Sequence, residues 1–277
     1  MSEQHPETIL LKPSSGWMAL NLKDLWRYRE LAFFLTWRDI AVRYKQTLLG
    51  AFWAIIQPLI QMVVWNFLMG NLAGVSTEGI PRPIFTYSAL LPWNLFSTAL
   101  SDASRSLVAS RNMITKVYFP KLLIPFSAIL SGVVDFGIAF IILIAMMFFY
   151  KVSLSLAMLA VPAFVLLALI AALGVGLWLS AWNLHYRDVR YLLPLLTQMW
   201  LLATPIAYPL SEIPEQWQTL YSLNPMVGAV EGFRWALLGT ETFPAEAALI
   251  SVAVSLVLFV SGLFYFKRME RTFADMV

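Results

Sequence analysis

The run QTLLGAFWAIIQPLIQMVVWNFLMGNLAGVST, residues 46–77, contains no formally charged side chain. About 20 apolar residues in a helix cross the roughly 30 Å hydrocarbon core of a bilayer, so residues 50–71 read as a membrane span. The rest of the chain has the same character. Of 277 residues, 60% are hydrophobic and 13% charged, and the mean hydropathy is +0.72. Soluble domains carry about 25% charged residues, and this chain lacks the polar surface that a soluble fold of its length needs. Glycine numbers 13 and cysteine 0, and together with the apolar content this excludes collagen, a disulfide scaffold and disorder. The net charge is only +3 and the bases cluster between apolar blocks, which argues against a nucleic-acid partner. Residues 1–13 carry Glu3, Glu7 and two prolines without an apolar core, so no signal peptide is read there and a cytoplasmic N-terminus is expected.

Working outward from residues 50–71, four further stretches are long and apolar enough to cross: 122–150, 155–182, 191–210 and 247–266. A sixth, 84–104, contains Pro92 and ends near Asp102. A seventh apolar stretch, 217–239, is broken at Asn224-Pro225 and carries Glu231 and Arg234. Charge decides its status. With six spans, all but Arg82, Lys151 and Arg234 of the 19 Lys and Arg fall on one side, as the positive-inside rule asks. A seventh span would put the basic C-terminal segment (Lys267, Arg268, Arg271) outside.

The expectation is therefore an all-α integral membrane protein of six transmembrane helices with both ends cytoplasmic and 217–239 as re-entrant half-helices on the outer face. Its parts are a tail 1–20, an amphipathic interface region 21–48, a transmembrane domain 49–270 and a tail 271–277. The domain includes an inner loop 102–121 and an outer re-entrant segment 211–245. Within 21–48, Trp37, Ile40, Ala41, Tyr44 and Leu48 recur at helical spacing opposite Arg38, Arg43, Lys45 and Gln46. Thr36 followed by Asp39 suggests a capping box that would start this helix. Such a helix lies in the interface plane, either as a plain anchor or as part of a docking surface. The loop 102–121, basic but with Leu107, Met113, Ile114 and Val117, suits either a partner-docking helix or a connecting helix on the membrane surface.

Catalytic chemistry is sparse. The two histidines, His5 and His185, cannot form a helical two-histidine metal site, and no cysteine assists them. No Gly-x-Ser-x-Gly elbow occurs, and no glycine precedes a lysine, so a phosphate loop is absent. Neither a catalytic residue nor a metal or cofactor bound by this chain is expected, and energy must come from an ion gradient or a separate subunit. Asp135 is the one carboxylate well inside a span, and it reads as a bond to a neighbouring helix ahead of a proton site. The 11 Trp, 10 Tyr and 19 Phe fit an interfacial belt, and their ring faces also suit stacking on sugar rings.

Thr36 to Gly50 (TWRDIAVRYKQTLLG), followed by Trp53 and Gln57-Pro58, resembles the membrane subunits of ABC-2 type ABC transporters that export polysaccharides. Further matching blocks follow in order: Leu91 to Phe96, Lys116 to Pro120, Tyr186 to Arg190, Thr204 to Pro209, Leu223 to Met226 and Glu231 to Arg234. Together the blocks cover about residues 25–270.

The resemblance implies six-span subunits that pair as homodimers. Each docks a cytoplasmic ATPase, two copies in all, which holds the ATP and Mg. It implies ATPase coupling through the interface helix and through Arg105, Arg111, Met113, Ile114 and Lys116. It implies a channel between protomers walled by the first and fifth spans, with Trp53, Trp65, Trp200 and Tyr208 facing the sugar. Arg38, Arg43, Tyr44 and Lys45 are placed to meet a lipid-linked pyrophosphate, or serve as ordinary inside anchors. Asn224, Pro225, Glu231 and Arg234 belong to an outer gate. The implied cargo is a lipid-linked glycan crossing the bacterial inner membrane. A drug or lipid cargo, or a membrane-embedded polymerase or acyltransferase, stands as the alternative.

Overall fold

A backbone in hydrocarbon must satisfy its own N–H and C=O groups, and a helix does so within one segment. The computed structural model describes residues 22–45, 50–153, 155–186, 188–240 and 243–273, and those residues form helices and no strand. The N-terminal region gives α1 (Leu22–Arg27) and α2 (Arg29–Lys45). Next come α3 (Gly50–Asn66), which runs on as a π-helical turn to Leu72, and the long α4 (Arg82–Ala109). A short α5 (Arg111–Lys116) leads to α6 (Leu123–Phe149), α7 (Val161–His185) and α8 (Val189–Leu202). The chain ends with α9 (Glu215–Tyr221), α10 (Pro225–Leu238) and α11 (Ala245–Met269).

Helix α4 is the axis of the packing. It is flanked by α6 and α7, with α10 and α3 against it, while α11 lies on α7 and α10. Ile84, Leu90, Phe96, Leu100 and Leu107 of α4 are fully buried, as are Leu177 of α7 and Phe233 of α10. Without water, helix association relies on close backbone approach at small residues and on interhelical hydrogen bonds. Helices α7 and α11 show both. A Cβ on Gly174 would sit 2.6 Å from the Phe259 backbone nitrogen. The Trp178 ring stacks on Tyr265 at 4.1 Å between centroids, and Trp182 Nε1 donates to the Tyr265 hydroxyl at 2.8 Å.

Among the described residues, four segments are long and apolar enough to cross a membrane: Phe52–Leu72, Leu123–Phe149, Leu156–His185 and Ala245–Thr272. The protein is a multi-pass, all-helical membrane protein. The remaining two expected spans differ from the sequence expectation in instructive ways. Helix α4 is 28 residues long, about 42 Å at 1.5 Å per residue, and it carries polar residues along one side. Helix α8 stops at Leu202, and residues 203–209 are not helical, because Pro205 and Pro209 each remove a backbone donor.

Two separate helices, α9 and α10, occupy the stretch 217–239. The break falls where Asn224 accepts from the Met226 amide at 3.0 Å and caps α10, with Pro225 as its first residue. One local expectation fails: Thr36 does not start a helix, since α2 begins at Arg29 and Thr36 Oγ1 donates back to the Ala32 carbonyl at 2.9 Å. Residues 102–121, read as a loop carrying a helix, divide between the end of α4 (102–109) and the short helix α5 (111–116). The tail 1–20, Leu48 and Arg187 lie outside the described residues.

Candidate functional site

A cavity of about 490 Å³ opens between α3, α4, α6 and α8. Its back wall is α4, whose burial pattern is one-sided. Between Leu91 and Leu107, the residues that stay partly or fully exposed are Asn94, Ser97, Thr98, Ser101, Asp102 and Arg105. These positions recur at three- and four-residue intervals, so they form one polar stripe on an otherwise buried helix. Across from it, α3 contributes Gln57 and Gln61 and α8 contributes Thr197 and Gln198. Asn94 Nδ2 donates to Gln61 Oε1 at 3.0 Å across the gap. Trp53, 57% exposed, stands at one side of the opening. A second cavity of about 300 Å³ continues along the stripe past Ser101, Asp102 and Arg105.

The 490 Å³ cavity ends at an ionic cluster. Arg43 of α2 donates to Asp102 of α4 and to Asp135 of α6, and reaches Ser131 Oγ at 3.3 Å. The Tyr44 hydroxyl also donates to Asp135. Burial and the Asp135 carboxylate both raise the Tyr44 pKa, so the phenol keeps its proton and stays a donor. Asp135 thus ties α6 to the interface helix, as its lone position in an apolar span suggests. Arg43, Asp102 and Asp135 remain 27%, 31% and 28% exposed, and Arg43 and Asp135 form part of the cavity wall. Of the other rim residues, Arg38 pairs with Asp39 at 2.7 Å and Lys45 is exposed. The solvent side of α2 presents Phe33, Phe34, Trp37 and Val42, a bare apolar face suited to an interface helix.

At the other end of α4 the segments that follow α8 are stapled down. Arg234, fully buried, donates to Glu231 Oε1 at 2.8 Å and to the Pro205 and Ile206 carbonyls at 3.0 Å each. Its guanidinium lies 3.7 Å from the Phe85 ring centroid, in α4. Glu231 also accepts from the Leu210 amide at 3.2 Å. Burial raises the Glu231 pKa and lowers that of Arg234, each opposed by its partner's charge. Asn224 is a second staple: it accepts from Trp200 Nε1 at 2.7 Å and donates to the Ala203 carbonyl at 2.8 Å. The Tyr208 hydroxyl meets that of Tyr221. Pro225 is buried at the start of α10.

The expected site residues therefore separate into groups. Trp53 faces the cavity. Trp65 packs against the core, the Trp200 indole N–H is engaged by Asn224, and Tyr208 lies in the non-helical stretch after α8, against Tyr221. Arg105 lies on α4, while α5 carries Arg111 and Lys116 outward and buries Ile114, with Met113 against the core. Sequence reading did not single out the α4 stripe, although its spacing from Asn94 to Arg105 is legible as helical. Among the described residues, no His, Asp and Glu group forms a metal site.

Fold and site together are those of a multi-pass helical membrane protein with a polar cavity among its helices. The chain belongs to the ABC-2 type transporter family, whose pattern matches residues 30–238. It is 28% identical to the O-antigen export system permease protein RfbA of Myxococcus xanthus, over 92% of this chain and 98% of that one. A Klebsiella pneumoniae protein of the same description is 27% identical over 94% of this chain and its whole length. The polysialic acid transport protein KpsM of Escherichia coli is 23% identical over 75% of this chain and 80% of its own.

Proposed function

We propose that this chain is the transmembrane subunit of an ATP-driven exporter that moves a lipid-linked polysaccharide out of the cytoplasm across the bacterial inner membrane. The observation that carries this reading is the α4 stripe, an amide- and hydroxyl-lined groove beside Trp53 inside an apolar bundle. The names of the relatives, O-antigen export and polysialic acid transport, support a glycan cargo. No catalytic role is assigned to any residue; hydrolysis of ATP, with its Mg, belongs to a separate cytoplasmic subunit present in two copies.

In this reading α3, α4, α6, α7, α8 with its non-helical extension, and α11 are the six spans, and both ends face the cytoplasm. Helices α9 and α10 re-enter from the outer face as a gate held by Asn224, Pro225, Glu231 and Arg234. Two copies pair through α3 and α8, whose exposed apolar residues include Ile60, Val63, Leu195 and Met199. The ATPase contacts α5, where Arg111 and Lys116 project beside the anchored Ile114, and the Arg105 end of α4. Arg43 and Tyr44 couple α2 to two spans, so a push on α2 reaches the groove wall directly. Arg38 and Lys45 are left to meet the pyrophosphate at the rim.

Deleting the gene and fractionating lipid-linked glycan tests the proposal. Finished polymer should accumulate inside the cell and disappear from its surface. Normal surface glycan would replace the glycan with a drug or lipid cargo, and loss of polymer everywhere would point to a synthetic enzyme.

A further inference from the structure

The charge pattern of the groove narrows the cargo. Its middle is lined by Gln57, Gln61, Asn94, Thr98 and Gln198, which offer both donors and acceptors and no formal charge. This neutrality does not depend on how two copies would pair. Residues 50–72, 83–101, 161–184, 191–202 and 247–266 contain no charged side chain, and 123–149 contains only Asp135. Whichever spans face the path, they bring no cation to the depth of the bilayer.

The charges at the groove's end point the same way. Asp102, Asp135, Arg43 and Arg105 are the charged groups there, and Arg43 is already held between the two carboxylates. An incoming carboxylate in the 490 Å³ cavity would meet Asp135 on the wall, where the one lining cation, Arg43, is already committed; Arg105 lies beyond it, beside Asp102 in the second cavity. Removing a carboxylate from water costs several kcal/mol unless a partner charge receives it. A sugar hydroxyl, in contrast, can exchange water for the amides of Asn94 and Gln61, which already bond to one another across the gap. The cavity's 490 Å³ falls within the roughly 300–1,000 Å³ of small-molecule sites.

Resting on the export reading above, we propose that the groove between α3, α4 and α8 is a binding site for uncharged glycan segments and rejects acidic ones. The cargo polymer is then a neutral polysaccharide, its only anionic part being the lipid-linked head. Saturation-transfer NMR on the full chain in lipid nanodiscs tests this, with neutral mannan oligosaccharides and oligosialic acid of equal length as probes. Transfer to the neutral probe should exceed that to the acidic one, and Asn94→Leu should weaken it about fivefold, the worth of one hydrogen bond. Thr98→Val serves as a gentler second variant, and Thr98→Lys should shift preference toward the acidic probe.

Equal or stronger transfer to oligosialic acid in the unaltered chain would overturn the proposal. So would neutral transfer that is unchanged by both Asn94→Leu and Thr98→Val, or no transfer to either probe. These outcomes leave the deletion experiment untouched, because a strain that accumulates an acidic polymer inside would retain the export reading and lose only this one.

Discussion

Two ionic clusters sit near the two ends of α4, and they are built on opposite plans. The one at Asp102 joins three helices through Arg43, borders a cavity, and leaves each charged partner about a quarter exposed. The one at Phe85 centres on Arg234, fully buried, with Glu231 three residues earlier on the same helix and two carbonyls of one non-helical segment. Phe85 and Asp102 are 17 positions apart in the same helix, about 25 Å along its axis. The contrast is between a partly wet ionic junction and a dry clasp. A partly wet, multi-helix ion pair can break and re-form as α2 shifts, since water substitutes for either partner. A dry guanidinium holding backbone carbonyls cannot let go without leaving a buried charge unmatched.

The sharpest test of this contrast is Arg234→Met. It strands the buried Glu231 and two carbonyls, and should lower stability by about 3–5 kcal/mol, read as thermal unfolding of the detergent-purified protein. Adding Glu231→Gln should recover part of that loss by removing the orphaned charge. No recovery would mean that the carbonyl contacts carry the clasp. Next comes Arg43→Ala, expected to cost about 1–2 kcal/mol because water can reach the two carboxylates. Surface glycan should fall far more than stability does. A stability loss equal to that of Arg234→Met, with export tracking it, would erase the distinction between the clusters.

Smaller effects should follow from lesser members of each region. Asn224→Ala removes the cap of α10 and should cost about 1 kcal/mol. The Trp200 indole, freed from its partner, should then show an altered fluorescence maximum. Arg38→Ala breaks a pair between adjacent residues that is 41% and 26% exposed. It should change stability by less than about 1 kcal/mol. A larger change would show that the Arg38–Asp39 pair helps to hold α2 in place alongside its packing on α6.

Much of this architecture is legible residue by residue. The charge-free run of 46–77 marks the first span, and Asn224-Pro225 marks the break between α9 and α10 because it supplies a cap and a first-turn proline. Other features mislead when read locally. Thr36 and Asp39 have capping spacing, but the packing of α2 along α6 carries the helix through them. Trp200 and Tyr208 look like free aromatics at a span end, yet hydrogen bonds to Asn224 and Tyr221 engage both. The basic residues of 102–121 suggest a loop because Arg105 is counted for its charge, whereas its backbone simply continues α4.

By itself the sequence determined the membrane class and the long apolar helices. Hydrocarbon solvation and backbone satisfaction act on each segment independently of its neighbours. Tertiary structure alone decided which polar groups meet. Arg43 finds Asp135 across 92 positions and Asp102 across 59, and no periodicity encodes a pairing of that kind. The same holds for the groove. The spacing of Asn94, Ser97, Thr98 and Ser101 states that they share a face, but only the packing of α6 and α7 on the other sides of α4 leaves that face open. The physical reason is that a helix reports its own stripe through the 3.6-residue turn, whereas what covers the stripe depends on helices far away in the chain.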